Sequence, residues 1–422
     1  MIRKFKSFLT IKDISELGQK FFYLGIFFLP SALPISGLLF IFSLIISFTL
    51  EENSYFEDKL NFPINISLIL IIFSTINTTL INVPNYEIYS EKSTILISLF
   101  NWIPIFLSYW GFQNYLNTSE KRIISAKFLV SGIFPLLVSC IMQNFFSIYG
   151  PYKTLFGLIV WFNKPISEIG GVTGLFSNPN YTGIFLTLTI PFIYFFLKNS
   201  RNKTLYTAIL LIFLSLSVFF ALATNSRYVL FALITSVVFS LIRNINKFFL
   251  LLSIGISGFY VFKKLITNFL ALIINDISSL PVRLRIWLGT FDLIKERPFW
   301  GWGGSTFSYM INEKSYLIPH KHIEISHSHN LIFEIAYNFG IPVALILSLT
   351  VLFIFFKVLI KIFLFSKNKN NFFNKVWLFS FATLLVSHLV DVTYYDGKIS
   401  LIFIILLSGL RCMQKEIIIP KN

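Results

Sequence analysis

The chain has 422 residues, 55% of them hydrophobic and 13% charged, and a mean hydropathy of +0.74. Fifty-one Phe with abundant Ile and Leu leave too little polar surface to coat a soluble globule, and the apolar residues fall into blocks of about 17 to 25, the length that crosses a bilayer core. The formal net charge of +16 lies mainly in short loops between these blocks, which ties it to membrane topology and excludes a nucleic-acid partner.

In chain order, Arg3, Lys4, Lys6, Lys12 and Lys20 lead into an apolar run without a small-residue cleavage site, so an uncleaved anchor is expected there. Spans are predicted near 20–30, 34–50, 64–81, 93–112, 125–147, 179–197, 203–221, 227–242, 247–266, 330–356, 374–391 and 397–412. They make an all-α, polytopic integral membrane protein of about 12 transmembrane helices. Pro30 and Pro34 leave open a single kinked helix in place of the first two spans, and 150–170 leaves open a further partly embedded segment. Cys140 and Cys412 lie far apart in or beside apolar blocks, which indicates neither a disulfide framework nor a Cys-based metal site.

Lys and Arg concentrate on the side that holds both termini, so both termini are predicted cytoplasmic; the acidic stretch Glu51 to Asp58 carries no weight in this rule. Lys367 to Asn374 reads as a polar cytoplasmic linker. The opposite side carries a segment at 267–329, too long for a simple connection and too aromatic for a disordered one, of a kind that usually bears function. Three parts are therefore expected: spans 1–266, a large partly helical periplasmic loop 267–329, and C-terminal spans with a short tail at 330–422.

Four polar clusters fall on the predicted outer face. Gly174 to Asn180 precedes a span, where Ser177 or Asn178 suits a helix N-cap and Pro179 its first turn. Thr224-Asn225-Ser226-Arg227 sets an arginine at a span's mouth, either snorkelling or holding an oxyanion through its guanidinium fork. Arg283 and Trp287 share a helix face and Arg285 points elsewhere, with glycines at 301, 303 and 304 following; the plain alternative is an interfacial aromatic belt. His320, His322, His327 and His329 place four of the five histidines within ten residues. A zinc reading finds only Glu324 as a nearby carboxylate and no Cys, so no metal is expected; a base at the membrane surface fits better, because an imidazole near neutral pH takes a proton from a hydroxyl. No P-loop, dinucleotide fingerprint, Gly-x-Ser-x-Gly elbow or kinase motif occurs, so ATP chemistry and cofactors are not expected.

Taken together, Gly-x-Phe-x-Asn-x-Asn at 174–180, Thr-x-Ser-Arg at 224–227 and Arg-x-x-x-Trp at 283–287, then Pro298 with Gly301 and Gly303, His-x-His-Asn at 327–330 and Phe339-Gly340-Ile341, resemble the O-antigen ligase and Wzy-type polymerase superfamily. The resemblance covers about 174–345. It implies a membrane glycosyltransferase acting at the periplasmic face of the bacterial inner membrane, in surface polysaccharide biosynthesis, without metal. The donor would be a glycan on undecaprenyl pyrophosphate and the acceptor a glycan or lipid core. Carried over by position, it makes His329 the catalytic base and Arg227 and Arg283 the pyrophosphate ligands, with Arg285 competing for the second place. Asn178, Asn180, Ser226, Trp287, His327 and Asn330 are supporting residues. The chain departs from the family pattern at Asn338, where an acidic residue is common, and at Ala232, where a glycine often follows the Ser-Arg pair.

The large His-bearing loop favours a ligase over a polymerase, and the short tail after the last span disfavours the protein-glycosylating relatives. A secondary transporter of a small anion is the alternative of another class, with Glu334 and Asp391 as the ionisable groups near helix ends that it would use. An assembly subunit without activity is a third reading.

Overall fold

The computed structural model describes residues 11–50, 58–80, 92–200, 204–226, 229–230, 232–234, 282–313, 325–365 and 371–416. Most of these residues are helical, as hydrocarbon demands, since each backbone N–H and C=O there must be paired within its own segment. Among the described residues, eight helical stretches are long and apolar enough to cross a bilayer: Leu33–Leu50, Asn61–Leu80, Ser93–Tyr115, Ser119–Phe146, Pro179–Lys198, Thr204–Ala223, Ile341–Phe363 and Gly397–Lys415. The chain is an all-α polytopic membrane protein.

The first two predicted spans are separate helices, α1 (Ile11–Phe28) and α2 (Leu33–Leu50), not one kinked rod. They turn back at Leu29 to Ala32 and pack along each other, with the Ser36 hydroxyl donating to the Gly25 carbonyl at 2.7 Å. Next come α3 (Asn61–Leu80), the broken pair α4 (Lys92–Ser98) and α5 (Ile103–Gly111), and α6 (Ser119–Gly132) with α7 (Phe134–Phe146), each break carrying a proline in the following first turn. The 150–170 region is not a further buried helix: Tyr152–Thr154 (β1) pairs antiparallel with Ile159–Trp161 (β2), and a single-turn helix, α8 (Ile166–Ile169), follows. The Trp161 indole N–H anchors this hairpin to the Ser31 carbonyl at 2.8 Å.

Helices α9 (Pro179–Lys198) and α10 (Thr204–Ala223) form an antiparallel pair. The predicted spans at 227–242 and 247–266 fall, but for five residues, outside the described residues, as do Arg227, His320 and His322. Within the predicted loop, α11 (Val282–Glu296) and α12 (Phe307–Glu313) are helical. The single span expected at 330–356 is instead two helices, α13 (Leu331–Phe339) and α14 (Ile341–Ile360). They are parted at Gly340, whose φ of +93° and close approach to the Phe299 carbonyl leave no room for a Cβ. The described chain closes with α15 (Asn371–His388) and α16 (Gly397–Lys415).

Polar contacts gather at opposite ends of α16. At its C-terminal end Arg411 and Lys415 grip Asp58, whose side chain is 4% exposed, and Arg122 pairs with Glu416. Burial pushes the Asp58 carboxyl up, but hydrogen bonds from Arg411 and Lys415 outweigh it and hold the carboxyl below its ordinary value. The other end, where α9, α13 and α16 begin and α15 finishes, carries the candidate site.

Candidate active site

Asp391 is the centre of the site, and it sits in the short connection between α15 and α16. One carboxylate oxygen, Oδ1, accepts from His329 Nδ1 at 2.8 Å, from His327 Nε2 at 3.3 Å and from the Val392 backbone N–H at 3.0 Å. The other, Oδ2, accepts from the Asn180 amide at 3.3 Å. The aspartate side chain is 4% exposed while His329 and His327 are 26% and 17% exposed, so the anion is sheltered and the imidazoles are open on one side.

Each partner is placed by its local sequence. Asn178 caps α9 by accepting from the Asn180 N–H at 2.9 Å, with Pro179 in the first turn, and that cap turns Asn180 toward Asp391. Asn330 caps α13 by accepting from Ile332 and Phe333 N–H, and its own amide donates to the Leu389 carbonyl at 2.9 Å, fastening the His-x-His turn to the end of α15. His329 has a φ of +54°, a left-handed conformation uncommon for a side chain of its size and one worth about 1 kcal/mol or more of strain. Ser326 bonds His327 Nδ1 at 2.7 Å, which leaves Nε2 facing Asp391.

Beneath the imidazoles, buried Glu334 accepts from the Ser328 N–H at 2.8 Å and from the Tyr395 hydroxyl at 2.7 Å. Asn338 donates to that same hydroxyl at 3.0 Å. Burial and the Glu334 carboxylate push the Tyr395 phenol well above its ordinary value, so it stays a donor at any physiological pH. The departure at Asn338 has a local reason here, since an acidic residue would bring a second negative charge against Glu334. Glu334 and Asp391, the groups a transporter reading would enlist, both belong to this cluster at the helix ends.

The arginine-bearing helix α11 packs against α13, with Trp287 edge-on to Phe333 at 6.3 Å in the first turn after His329. Arg283 is half-buried, whereas Arg285 is 5% exposed, and its Nε and Nη1 have no hydrogen-bond partner among the described residues. A buried guanidinium with unmatched N–H groups is costly unless something anionic meets it. The glycines that follow serve packing: Trp302 and Gly303 N–H groups bond the Tyr337 and Asn338 carbonyls at 2.8 and 2.9 Å, and a Cβ on Gly301 would strike that backbone. The Thr224–Ser226 turn lies beside α9, with Asn225 donating to the Gly170 carbonyl at 2.7 Å and Thr224 against Gly183. Ser226 is half-buried with its hydroxyl unpartnered among the described residues.

Below the cluster a cavity of about 320 Å³ lies between α3, α5, α13, α14, α15 and α16. Leu331, Ile332, Leu389, Phe403 and Leu407 make much of its wall, and His388, 4% exposed with no partner at Nε2 among the described residues, lines it too.

Sequence reasoning did not place Asp391 with the histidines. The signal available was an acidic residue ending an apolar helix, but its partners lie 62 and 64 residues earlier.

Helices that cross a membrane with a carboxylate–imidazole cluster and a buried arginine at one end describe a membrane-embedded transferase or transporter. Residues 186–348, less than half of the chain, match the family model Wzy_C, described as O-Antigen ligase. The match includes Arg227, Arg283, Arg285, His327 and His329, and it ends before Asp391. None of the curated proteins matches the chain.

Proposed function

We propose that the chain is an O-antigen ligase-like glycosyltransferase, which moves a glycan from undecaprenyl pyrophosphate to an acceptor hydroxyl at the periplasmic face of the bacterial inner membrane. The observation that carries this reading is the 2.8 Å contact from His329 Nδ1 to Asp391. In the tautomer that donates from Nδ1, the lone pair is on Nε2, and a buried carboxylate both fixes that tautomer and stabilises the imidazolium that forms.

The acceptor hydroxyl gives its proton to His329 Nε2 as its oxygen bonds the anomeric carbon. The bond from that carbon to the pyrophosphate oxygen breaks, and the anionic polyprenyl pyrophosphate departs. Arg285, buried with N–H groups unmatched among the described residues, and Arg283 on the same helix meet the charge that builds on the leaving oxygen, with Arg227 as a third ligand. Asn180 and Asn330 hold the carboxylate and the His turn in place. Exchange of the activated glycosyl–pyrophosphate linkage for a glycosidic bond, with polyprenyl pyrophosphate as the stable leaving group, drives the transfer, and His329 with Asp391 serves the proton step. The basic residues at the far end of the bundle, where α1 starts and α16 finishes, favour that end as cytoplasmic.

The test is the glycan profile of cells lacking the protein, complemented with wild type, His329→Ala, Asp391→Asn, Arg227→Ala or Arg283→Ala at matched membrane expression. Long glycans left on the polyprenyl carrier indicate a ligase, and stalled single repeats indicate a Wzy-type polymerase. Wild-type glycans from every variant would overturn the catalytic assignment and favour transport of an anion.

A further inference from the structure

The His-x-His turn lacks a carboxylate of its own in the sequence, and the fold supplies one. His327 Nε2, His329 Nδ1 and an Asp391 oxygen lie within 4.8 Å of one another. We infer that His327, His329 and Asp391 form a binding site for a divalent transition metal ion of the zinc type, and that the ion inhibits the transferase by occupying the base. The inhibitory part rests on the function proposed above; the metal site stands on geometry alone.

A tetrahedral ion with bonds of about 2.0–2.1 Å sets its ligand atoms about 3.3 Å apart. His327 Nε2 already stands 3.3 Å from Asp391 Oδ1, and His329 Nδ1, at 2.8 Å, needs to open by about half an ångström, within reach of a side-chain rotation for a ring that is 26% exposed. The outer contacts match what metal-bound side chains require. Ser326 engages the other nitrogen of His327 at 2.7 Å, and Asn180 engages the other oxygen of Asp391 at 3.3 Å. Three protein ligands with open imidazole faces leave a position for water, and two imidazoles with one carboxylate favour zinc, cobalt or copper over magnesium or calcium.

The direction of the effect follows from the ring. As a base, His329 keeps hydrogen on Nδ1, toward Asp391, and a lone pair on Nε2. An ion bound at Nδ1 takes that position's lone pair, so the ring's one hydrogen must sit on Nε2, where no proton can then be accepted. One imidazole cannot hold the ion and take the acceptor's proton.

The experiment uses the purified full chain in detergent, stripped with a chelator and titrated with Co²⁺, whose visible ligand-field band reports tetrahedral nitrogen and oxygen ligation. A saturable band that Zn²⁺ displaces and Mg²⁺ does not is expected. Asp391→Asn or His327→Gln should abolish it, and Ser326→Ala, which keeps every ligand, should weaken binding by about tenfold. No band at saturating cobalt, or an undiminished band in His329→Ala, overturns the site. In cells, Zn²⁺ should shift the glycan profile toward that of the strain lacking the protein, and a chelator should not. If cobalt fails to bind while His329→Ala still fails to complement, the metal site falls and the proposed transfer stands. If chelation abolishes wild-type glycans and zinc restores them, the ion is a cofactor, and both inhibition and the metal-free base are refuted.

Discussion

Asp391→Asn separates a base that is oriented from one that is merely present. The wild-type carboxylate is 4% exposed and accepts from two imidazoles and a backbone N–H through one oxygen, and from Asn180 through the other. Asparagine has nearly the same shape but one acceptor and one donor end. If its oxygen faces His329, its NH₂ faces the Asn180 amide, donor against donor. If it turns over, the NH₂ faces His329 Nδ1 and favours the tautomer with hydrogen on Nε2, which is no base. Loss of the orienting carboxylate of a histidine base costs on the order of 10⁴ in rate, about 5 to 6 kcal/mol of barrier. The assay is consumption of lipid-linked glycan in membranes at matched expression, with melting temperature measured alongside. Turnover within about tenfold of wild type would refute the argument that Asp391 sets the working state of His329.

Arg285→Met removes a buried charge whose Nε and Nη1 are unmatched among the described residues while keeping the chain's bulk; melting temperature should hold or rise, as replacing a buried charge often allows, and turnover should fall by about a hundredfold or more. Equal loss of both would mark the arginine as structural. Asp58→Asn leaves Arg411 and Lys415 facing a neutral group and should destabilise the fold by about 3–5 kcal/mol, read by thermal melting. Because the folded Asp58 carboxyl is held below its ordinary value, its contribution is full above the ordinary carboxylate range and lost as pH falls through the depressed value, so wild type should lose its advantage over the variant only in acid. Gly340→Ala meets a φ of +93° and the Phe299 carbonyl and should cost more than about 1 kcal/mol, with lowered membrane yield as the readout.

Apolar block length marked most of the described spans in the sequence, because a helix crossing hydrocarbon needs a run of set length whatever its neighbours are. The Asn178 cap was legible for the same local reason, since a capping side chain bonds an amide two or three residues on. What escaped were features set by packing. The run after Asn330 reads as one span despite Glu334 and Asn338, and its break at Gly340, with Pro342 just beyond, is completed by docking of residues 298–303. Asp391 reads as a lone acid at a helix end until the Asn330 turn that opens α13 is fastened to the end of α15. Glu324 was the only carboxylate near His327 and His329 in sequence, yet sequence distance is a poor guide to which oxygen a histidine meets. Arg283 and Arg285 likewise look alike in sequence and differ in the fold, where the first is half-buried and the second buried.

The cavity beside His388 bears on how the protein is handled outside its membrane. Its wall is apolar and it is not sealed, so hydrocarbon and not water is what it accepts. Such a space is therefore completed by whatever hydrocarbon surrounds it. Heat resistance then belongs jointly to the polypeptide and its amphiphile, and a detergent whose tail fits poorly acts on the fold as a core truncation would, though no residue has changed.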